Sequence, residues 1–229
     1  MTIHGPSSGS YDLAKDPILM TDWSYRNSFD EWAFSLQPNG TRPAMKSILL
    51  NGTGQYVPTM AEFNAGLVVK EVKKYTTVFQ KGKRYLLRLI NTSVDATFIF
   101  SIDHHNLTVV GADFVPIVNY STNSVLVGIG QRYHVIVEAN PQVEVPGSSY
   151  WIRTTVAQGC SSFATTRAVP DERTGILRYD ANSPFEPISK KHIFPTKCSD
   201  EPYEKLKPVL RWTVEPPEKG KQSFKLCGL

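Results

Sequence analysis

Lys81–Asn91 reads KGKRYLLRLIN, and the order of its residues decides what kind of element it forms. Alternation over Arg84–Asn91 places Tyr85, Leu87 and Leu89 on one face and Arg84, Leu86, Arg88 and Ile90 on the other, more polar face. A period of two belongs to a strand with one face buried. Lys81-Gly82-Lys83 supplies the turn before it, because glycine frees the backbone for a tight reversal. Arg88, flanked by Leu87 and Leu89, must be paired or solvated, since a lone buried charge is too costly. Val127–Asn140 (VGIGQRYHVIVEAN) opens in the same way, with Gly130 followed by Arg132-Tyr133. A tyrosine at a strand start buries its ring while its hydroxyl finds a partner.

Working outward, apolar runs of strand length recur with turn signals between them. They are Pro17–Trp23, Lys46–Leu50 (ended by Asn51-Gly52), Thr76–Gln80, Thr97–Asp103, Leu107–Gly111, Ser124–Gly128, Tyr133–Glu138, Tyr150–Val156 and Gly175–Tyr179. Gly54–Ala65 reads as a loop with a short turn. No long helical period lies between the runs, so a parallel sheet with crossover helices is excluded. The spacing predicts an all-β, Greek-key sandwich or barrel. Beyond Tyr179, prolines at 184, 187, 195, 202, 208, 216 and 217 break every candidate element. The chain therefore divides into a β domain over residues 1–180 and an irregular extension or interdomain linker over residues 181–229.

Composition narrows the function classes. A formal charge of +4, with no basic run interleaved with aromatics, gives no nucleic-acid reading. Much of that charge lies late, from Lys190 to Lys225, and reads as a solvated tail. No stretch approaches a membrane span, and Met1–Tyr11 is too polar for a signal peptide. Five Asn-x-Ser/Thr acceptors, at Asn39, Asn51, Asn91, Asn106 and Asn119, nevertheless point to the secretory pathway and an extracellular location. That combination predicts that sequence is missing from the front. The three cysteines, Cys160, Cys198 and Cys227, fit no zinc spacing. In an oxidising compartment Cys160 with Cys198 is the favoured pair, and a cysteine outside this sequence is the alternative partner for any of them.

Several phrases are more specific than periodicity. IHGPSS (Ile3–Ser8), ILMTDWSY (Ile18–Tyr25), ILLNGTG (Ile48–Gly54), KGKRYLLRLIN, FSIDHHNLTVVGADFVPI (Phe100–Ile117), VGIGQRYHVIVEAN, YWIRT (Tyr150–Thr154) and ILRYD (Ile176–Asp180) follow in order. Together they resemble the middle, cupredoxin-like domain of laccase-type multicopper oxidases, in a form similar to the fungal laccases. The resemblance implies a parent reaction in which phenols lose one electron each while dioxygen is reduced to water. It also implies flanking cupredoxin domains as partners, with copper held by those domains.

This chain is not expected to bind copper itself. A blue site needs a cysteine thiolate and two imidazoles, often with an axial methionine. The histidines are His4, His104, His105, His134 and His192, and none forms a His-x-His pair. No cysteine is closely followed by histidine, and no methionine comes after Met60. His104-His105 is the one tempting cluster, but adjacent strand residues point to opposite faces. No nucleophile elbow or phosphate-binding loop is present. What the resemblance leaves to this domain is a wall of the phenol pocket, where a carboxylate accepts the phenolic proton. The candidates are Asp22 and Asp30, with Phe29 standing where some relatives carry an acidic residue. Two other readings compete with a middle domain that is inactive alone. One is a secreted, non-catalytic binding module; the other is a different secreted all-β enzyme with paired carboxylates in a cleft.

Overall fold

Arg84–Asn91 is an interior strand of the larger of two sheets, and both its faces are buried: Leu86 and Arg88, on the more polar face, are 3% and 8% exposed, against the single buried face that alternation predicts. The computed structural model describes residues 5–24, 27–40, 45–54, 64, 74–160 and 170–213. In chain order the elements are β1 (Leu13–Ala14), β2 (Ile18–Trp23), α1 (Ser28–Ser35), β3 (Ser47–Leu50), β4 (Tyr75–Val78), β5 (Arg84–Asn91) and β6 (Phe98–Ile102). They continue with β7 (Leu107–Ala112), β8 (Val115–Thr122), β9 (Val125–Val127), β10 (Arg132–Glu138), β11 (Ser149–Val156) and β12 (Arg173–Arg178).

The larger sheet runs β3-β2-β5-β10-β7-β8, with β1 also on β5; the smaller runs β4-β12-β11-β6-β9. Both are mixed, because β1 and β2 lie parallel to β5 and β4 lies parallel to β12. β1 and β2 follow one another along the same edge of β5, and Pro17 between them has no N–H for the ladder. Tyr85, Leu87 and Leu89 of β5 and Tyr133, Val135 and Val137 of β10 face Phe98, Phe100 and Ile102 of β6 across one core. Fully burying each aliphatic or aromatic side chain contributes roughly 1.5–3 kcal/mol, so this interface dominates stability. Gly82 and Gly130 adopt φ of 80° and 75°, which explains glycine at both turns. Tyr85 stacks on Phe79, and its hydroxyl accepts the Gln80 N–H at 2.8 Å.

The chain is mostly β and cupredoxin-like, and among the described residues α1, β1 and β8 are elements that periodicity did not reveal. The helix α1 forms around Asp30. It has no buried residue, so no apolar stripe announces it. Its start is set by capping: Asn27 Oδ1 accepts from Asp30 N at 2.9 Å, and Asn27 Nδ2 donates to Asp30 Oδ2 at 2.6 Å. β8 is an edge strand with Pro116 near its start, a placement that proline tolerates. The loop expected over Gly54–Ala65 lies almost wholly outside the described residues.

Residues 181–213 contain no strand element among the described residues, yet they are fastened to the sandwich. Val118 N donates to Lys207 O at 2.8 Å and Val209 N to Pro116 O at 2.9 Å. Glu201 accepts from Leu126 N and from the Tyr120 hydroxyl. A disulfide joins Cys160 to Cys198, with Cα atoms 5.8 Å apart. Phe194 and Cys198 cover Ile99, Leu126 and Ala157 on the outer face of the smaller sheet. The solvated-tail reading is therefore corrected for this segment. Lys191 reaches Glu172, and Lys205 lies over the Tyr120 ring.

Candidate functional site

Asp22 sits next to last in β2 and is 5% exposed. Its Oδ1 accepts from Val94 N at 3.1 Å, and its Oδ2 from Asp95 N at 2.8 Å and Ala96 N at 2.9 Å. Ser93 Oγ accepts from Asp22 N. Both carboxylate oxygens are thus spent on the backbone amides that open β6, a charge-assisted brace. This geometry is that of a structural carboxylate.

Asp30 and Phe29 lie in the first turn of α1, on a different support. Asp30 is exposed, and its carboxylate accepts from Asn27 Nδ2. Phe29 is 80% exposed and Trp32 63% exposed, and Leu36 follows at the C-cap. Spacings of three and four residues put Phe29, Trp32 and Leu36 on one side of the helix. A solvent-facing carboxylate therefore stands one residue from an uncovered aromatic face. That combination suits a flat apolar ligand carrying a weakly acidic hydroxyl. The signal for Trp32 was present in the sequence, but without the helix it had no face to belong to.

The donors among the described residues do not fit a copper ion. His105 is buried; its Nδ1 lies 2.8 Å from Asp103 O and its Nε2 2.7 Å from the Tyr179 hydroxyl. Since a carbonyl only accepts, Nδ1 carries the proton and Nε2 accepts from Tyr179. Both nitrogens are committed. Burial, opposed by the Asp103 carbonyl, takes the His105 pKa down to about 4. Cys160 and Cys198 are oxidised together and offer no thiolate. Among the described residues no group of three or more His, Cys, Asp and Glu side chains is placed to hold a metal.

A buried ion network lies next to His105, and sequence spacing did not reveal it. Arg153 donates through Nε and NH2 to the two oxygens of Asp103, at 2.7 and 2.9 Å, and through NH1 to Glu172 at 2.9 Å. Ser189 Oγ donates to Asp103, and Thr155 and Lys191 to Glu172. Burial alone would raise the Glu172 pKa, but the hydrogen bonds from Lys191 and Thr155 outweigh it and hold it below the usual range. The partners come from β11, the segment before β12 and the extension, so only the fold unites them.

The glycan acceptors separate by exposure. Asn39, Asn106 and Asn119 are exposed and Asn51 is half-buried. Asn91 is corrected: it is 1% exposed, and its Nδ2 donates to Ala96 O and Val127 O while its Oδ1 accepts from Ser93 N. A sugar on that nitrogen would break buried hydrogen bonds that tie β5 to β9.

Two mixed sheets closed over one core, with a braced carboxylate at the end of β2, define a cupredoxin-like domain. Residues 15–182 match the multicopper oxidase family model, and the chain belongs to that family, as its second cupredoxin-like domain. A laccase of Arthroderma benhamiae is 50% identical over 218 residues, covering 95% of this chain and 32% of the relative. Laccase-2 of Botryotinia fuckeliana is 40% identical over 214 residues, covering 93% of this chain and 35% of the relative. The crystal structure of the laccase from Botrytis aclada superposes with a TM-score of 0.77 at 39% identity, covering 90% of this chain and 36% of that one. The chain thus spans about a third of the length of the relatives it matches.

Proposed function

We propose that this chain serves as the middle domain of a longer laccase-type oxidase. The reaction of that whole takes one electron and one proton from each of four phenols and reduces one dioxygen to two waters. The observation that carries the reading is 50% identity to a laccase along 95% of this chain but only 32% of the relative. Copper belongs, on this reading, to the flanking cupredoxin domains, and no step of the chemistry is assigned to a metal in this chain. Residues 1–180 act as the domain proper, and residues 181–229 lead away from it as an extension.

The domain's own contribution is positional. It spaces its neighbours and supplies one wall of the phenol pocket. Asp30 is the carboxylate that accepts the phenolic proton, with Phe29 and Trp32 stacking on the ring. Asp22 holds the fold beneath them. Exposed apolar side chains support the docking of flanking domains, among them Ile193 at 97%, Leu210 at 85% and Trp212 at 87% exposure. An extracellular location is supported by the Cys160–Cys198 disulfide and by the acceptors at Asn39, Asn51, Asn106 and Asn119. No helix among the described residues is long and apolar enough to cross a membrane.

The test is a pair of variants in the longer oxidase that carries this domain. Asp30→Asn is expected to raise KM for a phenol about tenfold, equivalent to about 1.4 kcal/mol of binding, and to flatten the acidic limb of the kcat/KM profile. Asp22→Asn is expected to leave KM unchanged and to cost on the order of 2–4 kcal/mol of stability, because buried amides lose a charged acceptor. Unchanged KM and pH profile in Asp30→Asn would remove Asp30 from the pocket. Stoichiometric copper and a blue absorption band in this chain alone would overturn the middle-domain reading.

A further inference from the structure

The outer face of the larger sheet holds a cavity beneath the N-terminal segment, lined by apolar side chains together with Arg88 and His134. Strand register builds it. His134 of β10 lies opposite Arg88 of β5 on one side and opposite Gly111 of β7 on the other. Directly opposed residues project to the same face of a sheet, so the guanidinium and the imidazole emerge side by side. Gly111 has no side chain, and a Cβ built there would lie 3.4 Å from His134 Cβ and 3.5 Å from its Nδ1. The gap left by that glycine is part of a cavity of about 120 Å³ lined also by Tyr11, Phe114 and Pro6.

The N-terminal segment lies over part of this cavity. Ser8 Oγ donates to Val110 O at 2.8 Å, and Tyr11 packs on Leu86, Val110 and Ile136. Under it Arg88 is 8% exposed. Its NH1 donates to Lys15 O at 3.2 Å, whereas Nε has no acceptor. No ion pair is formed by Arg88 among the described residues. A guanidinium carries five donors and never deprotonates in proteins, so among the described residues this buried charge has no anionic partner. Such an arrangement is costly unless an anion completes it.

The other charges nearby do not supply that anion. At the rim Arg132 lies over the Phe114 ring at 4.5 Å, with its Nε 3.4 Å from Asp113 Oδ1. Lys15 turns its ammonium away, to Val78 O and the rings of Phe79 and Tyr85. His134 is held below its ordinary pKa first by burial and then by the Arg88 charge. A negative charge between the two would offset the Arg88 charge and favour the protonated imidazole.

We propose that the Arg88–His134–Gly111 cavity is a binding site for a small oxyanion, a carboxylate or inorganic phosphate. Arg88 donates to its oxygens through its guanidinium N–H groups, and His134 donates through an imidazole N–H. At about 30 Å³ per water, the cavity has the volume of a few water molecules. That accommodates acetate or phosphate and excludes a nucleotide or sugar. The site is built from β5, β7 and β10 and uses no residue of α1, so it stands apart from the pocket wall proposed for Asp30.

The experiment follows the His134 imidazole resonances of the full chain by NMR. Sodium phosphate and sodium acetate are titrated separately at ionic strength held constant with chloride. A saturable shift, with the His134 pKa rising by about one unit, a tenfold change in proton affinity, is the expected result. Saturation by only one of the two salts identifies which oxyanion the site takes. Gly111→Ala, which fills the gap, and Arg88→Gln are each expected to weaken binding at least about tenfold. Circular dichroism on both variants checks that they fold; should Arg88→Gln unfold, Gly111→Ala and the parent titration carry the test. No saturable shift with either anion at millimolar concentration would overturn the proposal, as would a shift that persists unchanged in folded Gly111→Ala.

Discussion

His105 shows how far a single residue's chemistry depends on neighbours that sequence does not place beside it. Its ring packs edge-on against Tyr150 and stacked with Tyr179, at 4.9 and 5.9 Å between centroids. Neutral, it satisfies both nitrogens within the protein; protonated, it is a charge in a dry site. Its folded pKa of about 4 lies below the ordinary histidine value. The unfolded chain therefore takes up a proton that the folded chain refuses, and stability falls as pH drops from about 6.5 towards 4. The loss reaches up to about 3 kcal/mol over that window. Denaturant unfolding at a series of pH values should show this slope in the parent and a flatter one in His105→Gln. Equal slopes would mean that His105 is not the titrating group. Asp103 adds to the same neighbourhood, because its two oxygens hold Arg153 and Ser189 while its carbonyl accepts from His105.

At the scale of elements, legibility followed periodicity and failed where it was absent. β5 carried a clean alternation, and its bounds agree with the expected Arg84–Asn91. β5 is buried on both faces like β6 and β11, and its alternation was legible because Arg84 and Arg88 mark one face, whereas β6 and β11 showed as apolar runs. α1 has neither signal, and its existence rests on the cap. Asn27→Ala removes the acceptor for Asp30 N and the donor to Asp30 Oδ2, a loss of about 1 kcal/mol that falls on the helix alone. Because α1 buries none of its residues, global unfolding should shift little while limited proteolysis within Ser28–Ser35 accelerates several-fold. A large fall in global stability would show that α1 supports the sandwich after all. Composition had shown Trp32 and Phe29; the helix put them on one uncovered side.

At the scale of the molecule, the described part of the extension meets the sandwich through isolated bridges, Ile117 with Pro208 and Gln158 with Lys197, and forms no strand of its own. The Cys160–Cys198 bridge closes a separation of 38 residues, and constraining a loop of that size in the unfolded chain is worth about 3–4 kcal/mol. Cys160→Ser with Cys198→Ser should lower stability by about that amount and expose the extension to protease. Unchanged stability would show that Ser189, Glu201 and Lys207 are sufficient to fasten it. The sequence by itself determined the sandwich, the glycine turns and the family, because alternation and phrase order are local properties written along the chain. It also established that no His-x-His pair is present. The tertiary structure alone decided which carboxylate is spent on backbone amides and which faces solvent, and that Asn91 is buried. It alone set Arg88 beside His134. Those facts depend on register between strands far apart in sequence, and a burial cost or an unmade hydrogen bond exists only once distant partners are fixed in space.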